Sequence, residues 1–316
     1  MDVLLRTIGL KKYFPTLMGQ LHAVDGINLT LEAGKTLGVV GESGCGKSTL
    51  GRTILRLLDP TAGRILFQGK DITDYSKEQM KALREDMQII FQDPYSSLNP
   101  RMTVGQIIAE PIRVNRPTRD GDILDEQVYQ LMDLVGLDDR FINTYPHELD
   151  GGRRQRIGVA RALALDPKLI VCVEPVSALD VSIQAQILNL LMDLQARMGI
   201  GYIFITHDLS VVRHISDEIM VMYLGQCIER SPSDELFEAP LHPYTQALLA
   251  SIPVPALHHG NIFENIIQGE ISNPIEPQPG CRFAPRCPHA SPGCSGGDFE
   301  EKEVKPGHFV SCVLYS

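Results

Sequence analysis

The sequence lacks any apolar run near the roughly 18 residues that a membrane-spanning helix needs. Attachment to a membrane would therefore go through a partner. It also lacks a basic excess: 39 Asp and Glu against 29 Lys and Arg leave a net charge of −10. That balance argues against a nucleic-acid partner, which normally meets a basic face. The opening "MDVLLRTIGLKKYF" interrupts its short apolar stretch with Arg6, Lys11 and Lys12, unlike a secretory signal, so a cytoplasmic chain is expected. Internal repeats and low-complexity tracts are missing. Cysteine is sparse over the first 230 residues, where Cys45, Cys172 and Cys227 stand alone, and a paired C-x-x-C occurs nowhere.

A length of 316 residues suffices for one large or two unequal domains. The runs "TLGVVG", "LIVCV" and "GYIFIT" read as buried strands. "KSTLGRTILRLL", "RQRIGVARALAL" and "VSIQAQILNLLMDLQARM" carry apolar residues at helical spacing. The alternation predicts an α/β fold with a mostly parallel sheet, and a helical subdomain from about residue 93 to 165. Composition changes near residue 253: nine of the 21 prolines lie between Pro253 and Pro306, together with Cys281, Cys287, Cys294 and Cys312. Regular structure is hard to sustain there. Residues 1–252 are expected to form the main domain, and 253–316 a small Pro- and Cys-rich module held by something other than a large core.

The strongest signal is "GVVGESGCGKSTL". It fits G-x-x-x-x-G-K-S/T directly after a strand-like run and before a helix-like one. Glycines let successive amides turn toward phosphates, and the following helix brings its positive end to the same place. Gly41, Ser43, Gly44, Cys45, Gly46, Lys47, Ser48 and Thr49 would cradle ATP or GTP, with Lys47 on the β- and γ-phosphates and Ser48 on Mg²⁺.

From Gly41 to His207 the chain resembles the ATP-binding subunits of ABC transporters. The resemblance implies a P-loop NTPase fold of the ABC ATPase type and assigns roles in order. Gln92 in "IIFQDP" matches the glutamine that senses Mg²⁺ and the γ-phosphate. "LDGGRRQR" at 149–156 occupies the place of the signature motif, with Asp150, Gly151, Gly152 and Arg153 facing a partner's ATP. Glu174 matches the catalytic glutamate, Asp180 in "SALD" the D-loop, and His207 the switch histidine. Tyr13, 34 residues before Lys47, is placed like the aromatic residue that stacks on adenine.

The tail narrows the resemblance. "HPYTQALLASIP", "PGCRFAPRCPHA" and "GHFVSC" are similar to the C-terminal extension of oligopeptide and dipeptide importer ATPases, and the phosphate-loop region looks more like their F-type subunit than the D-type. Such importers place two different ATPases beneath two membrane permease subunits, fed by an extracytoplasmic substrate-binding protein. The resemblance thus implies a peripheral subunit at the cytoplasmic face of the cell membrane whose ATP hydrolysis powers peptide import. Family members acting on DNA or ribosomes carry long coiled-coil insertions or two fused ATPase units, and neither is present.

The chain departs from the family at three positions. Val173 stands where the family has an Mg²⁺-holding aspartate, although it extends a buried strand comfortably. Asp150 replaces the signature serine and Arg153 its glutamine. Asp is a good helix N-cap, but two like charges 4 Å apart repel by roughly 4 kcal/mol at an effective dielectric near 20. Arg153, three residues on, could partly neutralise it. A homodimer would carry every fault in both sites, which favours a heteropartner; a regulatory subunit with little hydrolysis is the alternative.

Five residues separate Cys281 from Cys287, six separate it from Cys294, and seventeen lie before Cys312. Four thiolates could close a zinc site or hold an iron–sulfur cluster, and the spacing alone does not choose. The resemblance to the importer tail implies a 4Fe–4S cluster, with zinc as the alternative.

Overall fold

A computed structural model describes residues 2–116, 121–252, 273–296 and 300–315; the Pro-containing stretch 253–272 lies outside the described residues. Two long strands, β1 (Val3–Thr16) and β2 (Gly19–Glu32), precede a fully buried short one, β3 (Thr36–Val40), and helix α1 (Lys47–Ile54). Next come β4 (Ala62–Phe67), β5 (Lys70–Asp71), α2 (Lys77–Leu83) and β6 (Met87–Ile90). Four helices follow without an intervening strand: α3 (Pro94–Ser97), α4 (Val104–Asn115), α5 (Gly121–Leu134) and α6 (Gly151–Leu163). Alternation resumes with β7 (Leu169–Val173), α7 (Val181–Met198), β8 (Gly201–Ile205), α8 (Leu209–Ile215) and β9 (Glu218–Tyr223). The remaining elements are β10 (Gln226–Pro232), α9 (Ser233–Glu238), α10 (Pro243–Ala250), β11 (Lys302–Lys305) and β12 (His308–Val310). Each run read as a strand or helix in the sequence forms that element.

The chain divides into two compact units, each assembled from separate segments. The first comprises residues 1–4, 31–35 and 74–204. Its strands run in the order β8-β7-β6, with β6 and β7 parallel in the register Met87↔Leu169 to Ile90↔Cys172. Every residue of β7 and β8 is buried, which explains why both read as unbroken apolar runs. Helices α4 and α6 carry their own caps: Thr103 forms a capping box with Gln106, and Asp150 accepts from the Arg153 amide. Arg161 donates to the Ser97 carbonyl at 2.5 Å, tying α6 to the end of α3.

The second unit comprises residues 5–30, 36–73 and 205–316. One sheet has the order β2-β1-β4-β5, with β1 and β4 antiparallel from Leu5↔Phe67 to Lys11↔Ala62. A second runs β11-β12-β10-β9-β3. There β3 and β9 are parallel, whereas β9 with β10, β10 with β12 and β11 with β12 are antiparallel. The expectation of a mostly parallel sheet is therefore corrected to a mixed one. The physical reason is connection length: β9 and β10 are joined by Leu224–Gly225 alone, and a parallel pair needs a crossover of a dozen or more residues.

The tail is likewise not an appendage without a core. Phe283, 1% exposed, meets Tyr223 at 5.3 Å and 82° and Tyr244 at 5.3 Å and 65°, edge-to-face geometry that favours aromatic pairs. These rings share one buried cluster with Val40, Val212, Ile219 and Val221. Below it the wholly buried Glu229 carboxylate accepts from the Leu241 amide (2.7 Å), the His242 amide (2.8 Å) and His308 Nε2 (2.8 Å). Such satisfaction is what makes a buried acid tolerable. Ile275 adds an antiparallel bridge to Leu21 of β2.

Replacing Phe283 by Ala is expected to lower the unfolding free energy by about 3–5 kcal/mol. Urea unfolding of the full chain measures it, and an unchanged midpoint would place this ring outside the core.

Candidate functional site

In the second unit the phosphate loop spans the gap from β3 to α1. Gly41 (φ +149) and Gly46 (φ +105) have backbones that side chains resist. A Cβ on Gly41 would stand 2.2 Å from the Met222 carbonyl oxygen, and one on Gly46 only 1.9 Å from that of Ala23. Gly46 is the N-cap of α1, and no side chain caps that end. The helix thus presents uncapped amides and the positive end of its dipole, the arrangement an anion uses. Lys47, 5% exposed, curls over the loop and donates to the Gly41 (2.7 Å) and Glu42 (2.8 Å) carbonyls. Ser43 and Gly44 are exposed, Ser48 and Thr49 half-buried, and Cys45 buried, its thiol pushed up by desolvation.

Tyr13 lies in the same unit. His22 stacks on its ring at 3.8 Å and 14°, and the Lys11 ammonium lies over the same ring, 5.9 Å from its centroid. The Tyr13 hydroxyl donates to Asp25, which also receives His22 Nδ1 (3.1 Å) and the Arg282 guanidinium. Backbone bonds join this group to the loop: the Asp25 amide donates to Gly225 (2.8 Å), and the Gly225 amide to Cys45 (2.8 Å). On the loop itself, Arg286 grips the Glu42 carboxylate through two bonds of 2.9 and 3.0 Å, and the Glu42 amide donates to Tyr244 Oη at 2.9 Å. His207 is exposed in the turn before α8, whose N-cap is Asp208.

The first unit holds the remaining candidates. Glu174 follows β7 with φ +45, a left-handed backbone uncommon outside glycine and associated with functional strain. The Gln92 amide donates to its carboxylate at 2.8 Å. Val173, 4% exposed, ends the strand inside the core. Asp150 caps α6 by accepting from the Arg153 amide (2.8 Å) and pairs with the Arg153 guanidinium at 2.5 Å. Gly151 and Gly152 pass close to Leu179 and Ile183, where a Cβ would come within 3.0 and 2.7 Å. Asp180 is exposed at the N-cap of α7.

Comparison with known proteins agrees with this geometry. A family profile described as "ABC transporter" matches residues 24–177, and one described as "Oligopeptide/dipeptide transporter, C-terminal region" matches 228–294. The chain is 50% identical over 324 residues to the "Oligopeptide transport ATP-binding protein AppF" of Bacillus subtilis, covering 100% of this chain and 98% of that protein. The chain belongs to the ABC transporter ATP-binding proteins. This ATPase is also 51% identical over 297 residues to the "Oligopeptide transport ATP-binding protein OppF" of Escherichia coli, covering 93% of this chain and 88% of that one. Among solved structures, the dimeric ATP-binding cassette MJ0796 bound to ADP and Pi superposes with a TM-score of 0.68 at 26% identity. That match covers 73% of this chain and 99% of that one.

The metal expected in the tail of the ATPase finds no support. Among the described residues no group of three or more His, Cys, Asp or Glu is placed to hold a metal ion. Cys281, Cys287, Cys294 and Cys312 are in no disulfide. The structure thus gives no support to the 4Fe–4S cluster or the zinc alternative, although the thiols are near enough to act on one another, Cys294 and Cys312 on Cys281, and Cys287 and Cys294 on Cys312. Cys281 and Cys287 pack against the aromatic cluster, and the Cys294 sulfur accepts from the Ser291 amide at 3.5 Å. Burial, and after it the neighbouring cysteines, push the Cys281, Cys287 and Cys312 thiols up.

Sequence reasoning missed His22, Asp25, Glu42, Tyr244, Arg282 and Arg286. The available signal was an acid inside a phosphate loop, which calls for a counter-charge, and two arginines four apart in "CRFAPRC".

Burial pushes the Asp25 carboxyl up, but bonds from Tyr13 and His22 and the Arg282 charge outweigh it, ending at about 2 against an ordinary 3.8. A carboxyl held lower in the folded state stabilises fully above its unfolded value and loses that contribution as pH falls through its folded one. Unfolding free energy should therefore fall from about pH 4 toward about pH 2 more steeply in the native ATPase than in Asp25→Asn, as read by denaturant titration at each pH.

Proposed function

We propose that this ABC ATPase is the motor subunit of an importer for oligopeptides or dipeptides. In this reading it pairs with a second, different ATPase beneath two membrane permease subunits at the cytoplasmic face, served by an extracytoplasmic substrate-binding protein. Residues 1–252 act as the nucleotide-binding domain, with about 93–165 as its helical subdomain and 253–316 as the importer-specific extension. One observation carries the reading: half of all residues are identical, tail included, to a protein named for oligopeptide transport. Among the described residues no helix is long and apolar enough to cross a membrane, which accords with a partner supplying the membrane path.

The chemistry follows from the residues. The loop amides and Lys47 bind the β- and γ-phosphates, charge against charge. Tyr13 stacks on adenine, its ring backed by His22. Mg²⁺, when bound with the nucleotide, neutralises phosphate charge, and Ser48 and the amide oxygen of Gln92 are the residues that would hold it. Glu174 takes the proton of the attacking water, and His207 orients the γ-phosphate. Gln92 donates to the Glu174 carboxylate and so holds the proton-accepting group in place. Val173 offers no oxygen to the metal's hydration shell, which weakens the site on this chain's own loop. Asp150, already paired with Arg153, faces the partner's nucleotide with a partly neutralised carboxylate. The alternative of a purely regulatory subunit is less favoured, because Glu174 and His207 are both retained.

The purified chain is expected to bind ATP and hydrolyse it slowly. Glu174→Gln should lower the remaining rate by about a hundredfold or more while leaving binding intact. Conversely, Val173→Asp combined with Asp150→Ser should raise turnover about tenfold. Phosphate release in steady state measures both, and a fast native rate unaffected by Glu174→Gln would remove the glutamate from this role.

A further inference from the structure

The tail reaches the nucleotide site at two points, through Arg282 and Arg286. Both guanidinium groups are nearly inaccessible, at 7% and 6% exposure, so each needs an anionic partner. They flank Phe283, and the intervening turn is closed by the Ala284 amide on Cys281 (3.0 Å) and the Arg286 amide on Phe283 (2.9 Å). The buried ring thus fixes both arginines in a rigid step.

What they grip lies at opposite ends of the nucleotide cradle. Arg286 holds Glu42, an acid between Gly41 and Ser43 inside the loop that must receive a triphosphate. The loop residue is fixed at three of its groups: carboxylate by Arg286, amide by Tyr244 Oη, carbonyl by Lys47. Unpaired, that carboxylate would oppose the incoming phosphates. Arg282 holds Asp25, and Asp25 holds the Tyr13 hydroxyl and His22. Arg282 also donates to the Leu224 carbonyl, in the same β9–β10 turn whose Gly225 amide bonds Cys45.

We infer that Arg282 and Arg286 are positioning residues for nucleotide binding, Arg286 by neutralising Glu42 inside the phosphate loop and Arg282 by setting Tyr13 through Asp25. The importer-type tail is then a clamp on the nucleotide site of its own subunit. The inference rests on the ATP-binding reading above.

Calorimetric titration of the purified full-length chain with Mg²⁺ and ATP, ADP or AMP tests it. Arg286→Gln should weaken ATP about tenfold, ADP less and AMP least, because repulsion from Glu42 grows with phosphate charge. The loss should shrink at high salt, and Glu42→Gln in the same background should bring ATP back to within about twofold of native. Arg282→Gln should weaken all three nucleotides by a similar factor, since it acts at the base. Equal losses for ATP and AMP in Arg286→Gln, or no recovery with Glu42→Gln, would reduce Arg286 to a structural tie and overturn its role. Unchanged affinities in Arg282→Gln overturn the other half. Should Arg286→Gln fail to fold, Arg286→Lys keeps the charge without the fork; it should retain the native ratio of ATP to AMP affinity, and a collapsed ratio refutes charge neutralisation. If the native chain itself gives no heat with ATP, the nucleotide reading fails first and carries this inference with it.

Discussion

A loop can converge its amides on an anion only where no side chain stands in the way, and here that constraint is met by contact. Gly46 lies against the Ala23 carbonyl and Gly41 against that of Met222, so closely that a single methyl at either would displace backbone. The phosphate loop is therefore cast against β2 and the end of β9. Its shape depends on whatever holds those strands. The second unit answers with a shared aromatic core in which Tyr223 of β9, Tyr244 of α10 and Phe283 of the tail meet edge to face. Tail, sheet and loop form one packed body in that unit.

The charges around this body follow the same logic. Glu42 and Asp25 are acids beside a site for an anionic ligand, an arrangement that disfavours binding unless each is neutralised. Each has a buried arginine. In the first unit the exposed Asp150 is neutralised by its own helix neighbour Arg153, and the carboxylate doubles as a cap. Exposed pairs at this spacing are worth a few tenths of a kcal/mol, so the cap is the larger structural reason for Asp150. Val173 shows the opposite compromise: it completes the apolar interior of β7 and leaves Glu174 as the first acid after the strand.

Much of this was legible beforehand. Apolar runs announced β3, β7 and β8, and helical spacing marked α7 from Val181 to Met198 without error at either end. The Walker-type spacing located the loop, and Asp150 read correctly as a cap. Less legible was anything set by long-range pairing. The hairpin of β9 and β10 turned a sheet expected to be mostly parallel into a mixed one. The tail's proline content suggested a segment in need of a metal, whereas Phe283 supplies an apolar anchor that composition cannot weigh. The four cysteines looked like a ligand set, yet spacing along a chain does not say where thiols point: Cys281 and Cys287 pack against the aromatic cluster, and Cys294 meets a local amide.

Local chemistry, carried by contiguous residues, was thus determined by the sequence itself: a phosphate loop, its helix, the strand ends that bear Glu174 and Gln92, and the family they signal. Tertiary structure alone decided which distant residues complete the site. Asp25 and Arg282 are 257 positions apart, Glu42 and Arg286 are 244 apart, and no periodicity connects them. They meet because a buried aromatic ring docks the tail against the sheet that carries the loop, and a buried guanidinium is stable only beside a carboxylate.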